Sequence, residues 1–104
     1  MEQKKYKLEY TDNFINDLVE ITNYITYNLS NPIAADNLLD NIDKSIINRL
    51  KYPIGFKGYV SKNNPEEVYY KIQIKNFTVF YVVIDNVMEC RRIIYSRRDL
   101  ENLV

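Results

Sequence analysis

The chain has no histidine, one cysteine, two glycines and three prolines in 104 residues. Without histidine, the usual general base near neutral pH and the commonest metal ligand are both missing, so any chemistry must run on Tyr, Lys, Arg, Asp or Glu. Cys90 alone can neither close an internal disulfide nor build a cysteine zinc site, and no cofactor or metal is implied. So few glycines and prolines, beside 46% apolar and 27% charged residues, exclude the disordered and fibrous classes. They fit one domain over residues 1–104, long enough for a single two-layer core. No stretch approaches the roughly 20 apolar residues of a bilayer span, and the start, MEQKKYKLEY, has lysines with no apolar run behind them. A reducing cytoplasmic setting and no membrane partner are expected.

Net charge is missing too, but the zero joins unlike halves. Residues 1–50 hold five Lys+Arg against eight Asp+Glu, or −3, and residues 51–104 hold nine against six, or +3. A neutral whole argues against avid nonspecific nucleic-acid binding, while a local cationic face can still focus a phosphate or an acidic partner. The densest cationic stretch is the end, RRIIYSRRDLENLV, where Arg91, Arg92, Arg97 and Arg98 surround Tyr95 and an apolar run.

The residues that are present repeat with two periods. Tyr6, Leu8 and Tyr10 alternate with Lys5, Lys7 and Glu9, the pattern of a half-buried strand. Thr11 or Asp12 offers an N-cap, and Phe14, Leu18, Ile21 and Ile25 recur at helical spacing, with Ile15, Val19 and Thr22 widening the stripe, so a helix is expected over 12–29. Ser30-Asn31-Pro32 stops that helix and starts another, because proline at the first helical position gives up no hydrogen bond. Ala35, Leu38, Leu39, Ile42, Ile46 and Leu50 mark its apolar face, and Tyr52-Pro53-Ile54-Gly55 ends it. So short a link makes the pair an antiparallel hairpin.

The period then falls to two. Residues 61–67 are a polar loop, and 68–75 alternate as a strand with one wet face carrying Tyr69, Lys71, Gln73 and Lys75. After a turn at Asn76, the near-continuous apolar run 77–85 suits a central strand covered on both faces. Asp85-Asn86 turns into a last long strand over 87–95, and 97–103 make one or two helical turns, with Ser96 as a candidate cap. The fold class is α+β in the order β-α-α-β-β-β-α, a helical hairpin on a small antiparallel sheet.

Three stretches carry a resemblance: Tyr10-Thr11-Asp12 with the apolar stripe of the first helix, Asn31-Pro32-Ile33-Ala34-Ala35, and Arg92-Ile93-Ile94-Tyr95-Ser96-Arg97-Arg98-Asp99-Leu100. With the element order, they make nearly the whole chain resemble the RelE/ParE superfamily of bacterial type II toxins, often labelled plasmid-stabilisation proteins. The resemblance implies a growth-inhibiting toxin neutralised by a cognate antitoxin in a hetero-oligomer, acting on DNA gyrase or on mRNA at the ribosome. Its ribonuclease branch, a ribosome-dependent mRNA interferase, cleaves RNA without metal, which needs cations at the phosphorane and groups that move protons. On that reading Arg92, Arg97 and Arg98 hold the phosphate by bidentate forks, Lys71 assists, and Tyr95 moves a proton or stacks on a base. On a regular strand Arg91, Ile93 and Tyr95 share a face and Arg92 projects from the other. That branch usually carries an arginine near the start of the middle strand, where this chain has Thr78 and no basic residue from Phe77 through Glu89. With a pI near 6.2, this departure shifts weight to the gyrase-binding branch.

Plainer readings stand beside these. The arginine tail can be a solvated strand end with Arg97 or Arg98 paired to Asp99, Glu101 or an acid of helix one, and Lys71 and Lys75 can be simply solvated. Tyr95 can be buried with its hydroxyl tied to backbone. Tyr6, Tyr10, Tyr24, Tyr27, Tyr70 and Tyr81 fall on core patterns and are expected to pack, as is Cys90. A third class is a non-toxic, antitoxin-binding remnant, docking through Ile15, Val19 and Thr22. An acidic, apolar antitoxin segment would be the partner of the +3 half.

Overall fold

A computed structural model describes residues 5–63 and 65–96. Strand β1 (Lys7–Tyr10) leads into helix α1 (Asp12–Asn23), whose first turn is closed by Thr11: its hydroxyl accepts from the Phe14 N–H at 3.2 Å. Such a cap contributes about 1 kcal/mol, and this one does more. The same hydroxyl donates to the Arg91 carbonyl at 3.0 Å, tying the helix start to the far end of the chain.

The helix expected over 12–29 changes character at Tyr24. Residues Tyr24–Asn28 form a π-helical turn, in which the Leu29 N–H reaches back five residues to the Tyr24 carbonyl at 3.1 Å. Within that turn Ile25 still packs against the core, whereas Tyr24 and Tyr27, expected to pack, are exposed, Tyr27 at 74%. Ser30 completes the reversal in left-handed backbone (φ 50), and Asn31 caps helix α2 (Pro32–Leu50) by accepting from the Ala34 N–H at 3.1 Å. Proline stands at the first helical position, as expected.

The remaining strands are β2 (Tyr59–Val60), β3 (Val68–Ile74), β4 (Phe77–Ile84) and β5 (Val87–Tyr95). They form one sheet in the order β1-β5-β4-β3-β2. Pairing is antiparallel from β2 to β5, and β1 alone runs parallel to β5, Lys7 opposite Val87 through Tyr10 opposite Cys90. A parallel pair needs a crossover, and the helical hairpin with β2–β4 supplies it. The two-residue β2 escapes the sequence pattern because it is too short to alternate. Lys75 and Asp85 take left-handed backbone (φ 53 and 54) at the two hairpin turns, so the strand expected through residue 75 ends at Ile74.

Both helices lie on one face of the sheet. There Phe14, Leu38, Ile42 and Ile46 meet Ile72, Ile74, Val79, Tyr81, Met88, Cys90 and Ile93, each large side chain contributing about 1.5–3 kcal/mol through burial. On the opposite face Tyr69, Phe80, Val82 and Ile94 form a second buried cluster. The central strand β4 is thus covered on both sides, as its apolar run predicts, and Tyr69 is buried where strict alternation predicts a wet face. No helix among the described residues is long and apolar enough to cross a membrane.

Burial pushes the Cys90 thiol up from 9.0 to about 12, with the nearby Glu89 charge adding to it. The phenols of Tyr81 and Tyr10 are also raised, chiefly by burial. In the unfolded chain these groups lose protons at lower pH than in the folded one, so their contribution is complete below about pH 8.5 and is lost as pH rises toward 12. The urea midpoint should hold to about pH 8 and fall steadily from about pH 9 to 11, with Ellman's reagent titrating the thiol only on unfolding. A thiol that reacts in the folded protein near neutral pH would contradict this burial.

Candidate functional site

The arginine-rich stretch of β5 is shaped by a bulge. Phe80 opposes Arg92 while its neighbour Tyr81 opposes Cys90, so Arg91 is the extra residue. Beyond it the faces exchange: Ile93 joins the helix-side core, Ile94 the opposite cluster. Arg91 therefore does not share a face with Ile93 and Tyr95, as a regular strand would require.

Arg91 reaches over the face away from the helices. Its Nε donates to Glu89 at 2.7 Å, and one terminal nitrogen to Glu67 and to the Tyr69 hydroxyl, the latter at 2.9 Å. Burial works against its charge, but the hydrogen bonds it donates to Glu89, Tyr69 and Glu67 outweigh that and hold its pKa above the ordinary arginine value. Arg92 turns to the sheet edge and forks onto Asp17 of α1, Nε to Oδ2 at 2.7 Å and a terminal nitrogen to Oδ1 at 3.0 Å. The Asp17 hydrogen bond raises its pKa despite partial burial. Asp17 Oδ2 also accepts the Ile93 backbone N–H at 3.1 Å. Both guanidinium groups are thus engaged by carboxylates of the chain itself.

Tyr95 lies on the helix side, edge-on to Phe77 with ring centroids 5.7 Å apart. The shallow cleft beside it is lined by Asp17, Glu20, Ile21, Ile93 and Ile94. Among the described residues two carboxylates and no cation line the cleft, which disfavours a phosphate. Lys71 stands on β3, far from that cleft in the strand order, with its Nζ 4.0 Å from the Tyr59 ring centroid and 5.8 Å from that of Phe80. Thr78 is buried and bonds to Gln73 at 3.0 Å and Ser96 at 2.8 Å, a neutral trio. Arg97 and Arg98 lie outside the described residues, as does the expected helix over 97–103.

Sequence reasoning passed over two residues. Asp17 falls between Phe14 and Ile21 on the core stripe of α1, and an acid on an apolar stripe demands a buried cation, a signal that was available. Arg49, at the end of α2, donates to the Lys71 carbonyl at 3.1 Å and to the Tyr81 hydroxyl at 2.9 Å, with its guanidinium 3.6 Å from the Phe56 centroid. Nothing in its local pattern announced that.

A family model described as ParE toxin of type II toxin-antitoxin system, parDE, matches residues 8–100. Among solved structures, the chain is similar to one titled chromosomal ParDE TA system from P. aeruginosa, with TM-score 0.72 and 17% identity over 88% of this chain and 97% of that one. It is also similar to YafQ from E. coli strain BL21(DE3), with TM-score 0.49 and 18% identity over 88% and 93%. No curated protein matches the chain.

Asp17→Ala leaves a partly buried guanidinium and a backbone N–H without their acceptor. It should cost about 2–3 kcal/mol in urea unfolding. Adding Arg92→Met should recover part of that loss, and a double-mutant cycle without coupling would refute the role given to the pair.

Proposed function

The chain belongs to the ParE toxin family of type II toxin–antitoxin systems, and from that premise we propose that it arrests growth by binding DNA gyrase rather than by cleaving mRNA. The observation that carries this reading is the state of Arg91 and Arg92. A phosphoryl-transfer site needs cations that can reach the phosphate, and both guanidinium groups are already engaged, Arg92 with both fork arms on one carboxylate. Tyr95 has Asp17 and Glu20 around its cleft, and the neutral trio of Thr78, Gln73 and Ser96 occupies the start of the middle strand. Lys71 alone is a point charge without a partner base. A toxin that works by occupying a protein surface places no such demands.

Neutralisation by a cognate antitoxin fits the helical hairpin. Between α1 and α2 runs an apolar groove lined by Phe14, Ile15, Leu18, Leu39 and Ile42, with Asp43 at its rim. Ile15 and Val19 are about half exposed, the apolar surface on which an amphipathic segment docks.

Inducible expression in a bacterium, with translation and DNA supercoiling followed in parallel, tests the reading. Growth arrest with a DNA-damage response and intact early translation is expected, and Tyr95→Phe should leave toxicity within about twofold of the parent. A prompt halt in translation that Tyr95→Phe or Lys71→Gln relieves would establish the ribonuclease instead. A folded, well-expressed chain with no growth defect would leave only the antitoxin-binding remnant.

A further inference from the structure

From Ile21 to Ala35, between Glu20 and Asp36, the chain carries no charged residue, its longest uncharged stretch. In a chain that is 27% charged such a run is expected inside, and the next longest, residues 76–84, is largely buried as β4. The stretch from Ile21 instead forms the tip of the helical hairpin and faces solvent. Tyr24 and Leu29 are each 55% exposed, Ile33 72% and Tyr27 74%.

The backbone of this tip is closed on itself. In the π-helical turn the Leu29 N–H donates to the Tyr24 carbonyl, and the Asn31 N–H reaches back to the Ile25 carbonyl, also at 3.1 Å. Ile25 anchors the turn on the core, and the turn lies against α2, whose start the Asn31 side chain caps. Such turns are rare and frequently stand at functional sites. Tyr24 and Tyr27 sit three residues apart on one arm, Leu29 at the reversal and Ile33 at the start of the other, so the four share one end of the hairpin. Together they present roughly 500 Å² of apolar surface, in the upper half of the range for the largest patch on a monomer. A backbone already fixed by these bonds has little freedom left to lose when the patch is covered.

We propose that the hairpin tip is a self-association surface, on which two copies of this chain pair about a two-fold axis and cover Tyr24, Tyr27, Leu29 and Ile33. Charge selects this occupant. Asp17 is paired with Arg92 and Asp40 with Lys44, which leaves Asp12, Glu20, Asp36 and Asp43 on the hairpin without an ion pair among the described residues. An acidic partner or an anionic lipid surface is repelled by these acids, and a basic partner finds no carboxylate within the patch itself. A second copy brings an equally uncharged surface, and an isologous contact sets the patch against itself with no charge to match. Elsewhere along the helices two copies would meet acid against acid. The pair buries roughly 1,000 Å² in total, the size at which specific association begins, so a dissociation constant on the order of 10 μM is expected. The groove that suits an amphipathic segment is lined by residues such as Phe14, Ile15, Leu39 and Asp43 and shares none with the tip, so pairing leaves it open. This inference goes beyond the choice of toxin target and does not depend on it.

The test is sedimentation equilibrium of the whole purified chain from roughly 5 to 500 μM. A reversible monomer–dimer equilibrium is expected, tightening about threefold or more between roughly 50 and 500 mM salt, because screening relieves the acids around the tip. Tyr27→Lys and, separately, Ile33→Lys set a charge against its own copy and should each weaken pairing about tenfold or more, with an unchanged urea midpoint verifying the fold. Ile15→Lys, in the groove, should leave the equilibrium as it is. Nitration of the parent chain by tetranitromethane adds a readout that needs no variant: Tyr27 should be protected at high concentration relative to low, and the equally exposed Tyr52 not. A chain that stays monomeric at about 500 μM would overturn the proposal, as would protection confined to other tyrosines. So would a dimer that Ile15→Lys dissolves and Tyr27→Lys spares, the sign of copies meeting at the groove, or one that weakens with salt, the sign of ion pairs. Flotation of a monomeric chain with phosphatidylcholine vesicles, lost in Tyr27→Lys, would make the tip a membrane contact instead.

Discussion

Strand β5 extends past the end of β1, and from residue 91 onward its outer side pairs with no strand among the described residues. Unpaired backbone groups at a sheet edge invite another chain, and the molecule answers with its first helix. Thr11 gives its hydroxyl to the Arg91 carbonyl, and Asp17 takes the Ile93 N–H. Both residues belong to the start of α1, spaced by about a turn and a half, so one helix closes two successive groups of the edge. The direction of α1 across the sheet is set by these two bonds, and α2 then has to return over β3. Asp17 also takes the Arg92 fork, so the bonds that orient the helix also neutralise the cation that a phosphate site would need.

That coupling explains which parts of the molecule were legible in the sequence. The helical stripes, the proline start of α2, the polar loop and the alternation of β3 from Tyr70 onward were readable because each depends on local spacing alone. The bulge at Arg91 was not, since nothing in RRIIY distinguishes a regular strand from one with an extra residue. One inserted residue reverses every later side chain, and so the shared face of Arg91, Ile93 and Tyr95 dissolved with it. Tyr24 and Tyr27 were over-read for a simpler reason: at about 100° per residue Tyr24 lies at the margin of the Phe14, Leu18, Ile21 and Ile25 stripe and Tyr27 on the side opposite it, and both are exposed.

Function was harder to read than fold, for a physical reason. A count of arginines measures charge along the chain, whereas a binding site depends on charge left over after folding. Asp17 is 75 residues from Arg92 in sequence, and Glu67 is 24 from Arg91. No local pattern links them. The acid on the core stripe of α1 was the one clue, because an ionised carboxylate facing a core costs several kcal/mol unless a cation meets it.

The neutral total then acquires a different meaning. Asp17 and Arg92 join the two halves of opposite sign, while Arg91 is matched within the basic half by Glu67 and Glu89. Among the described residues, Asp12, Glu20, Asp36 and Asp43 remain on the hairpin around the apolar groove between α1 and α2. An amphipathic segment docked there would gain from lysine or arginine at its rim. What such a segment would meet is therefore decided by the charges left over once the pair that holds α1 to β5 has formed, and not by the total.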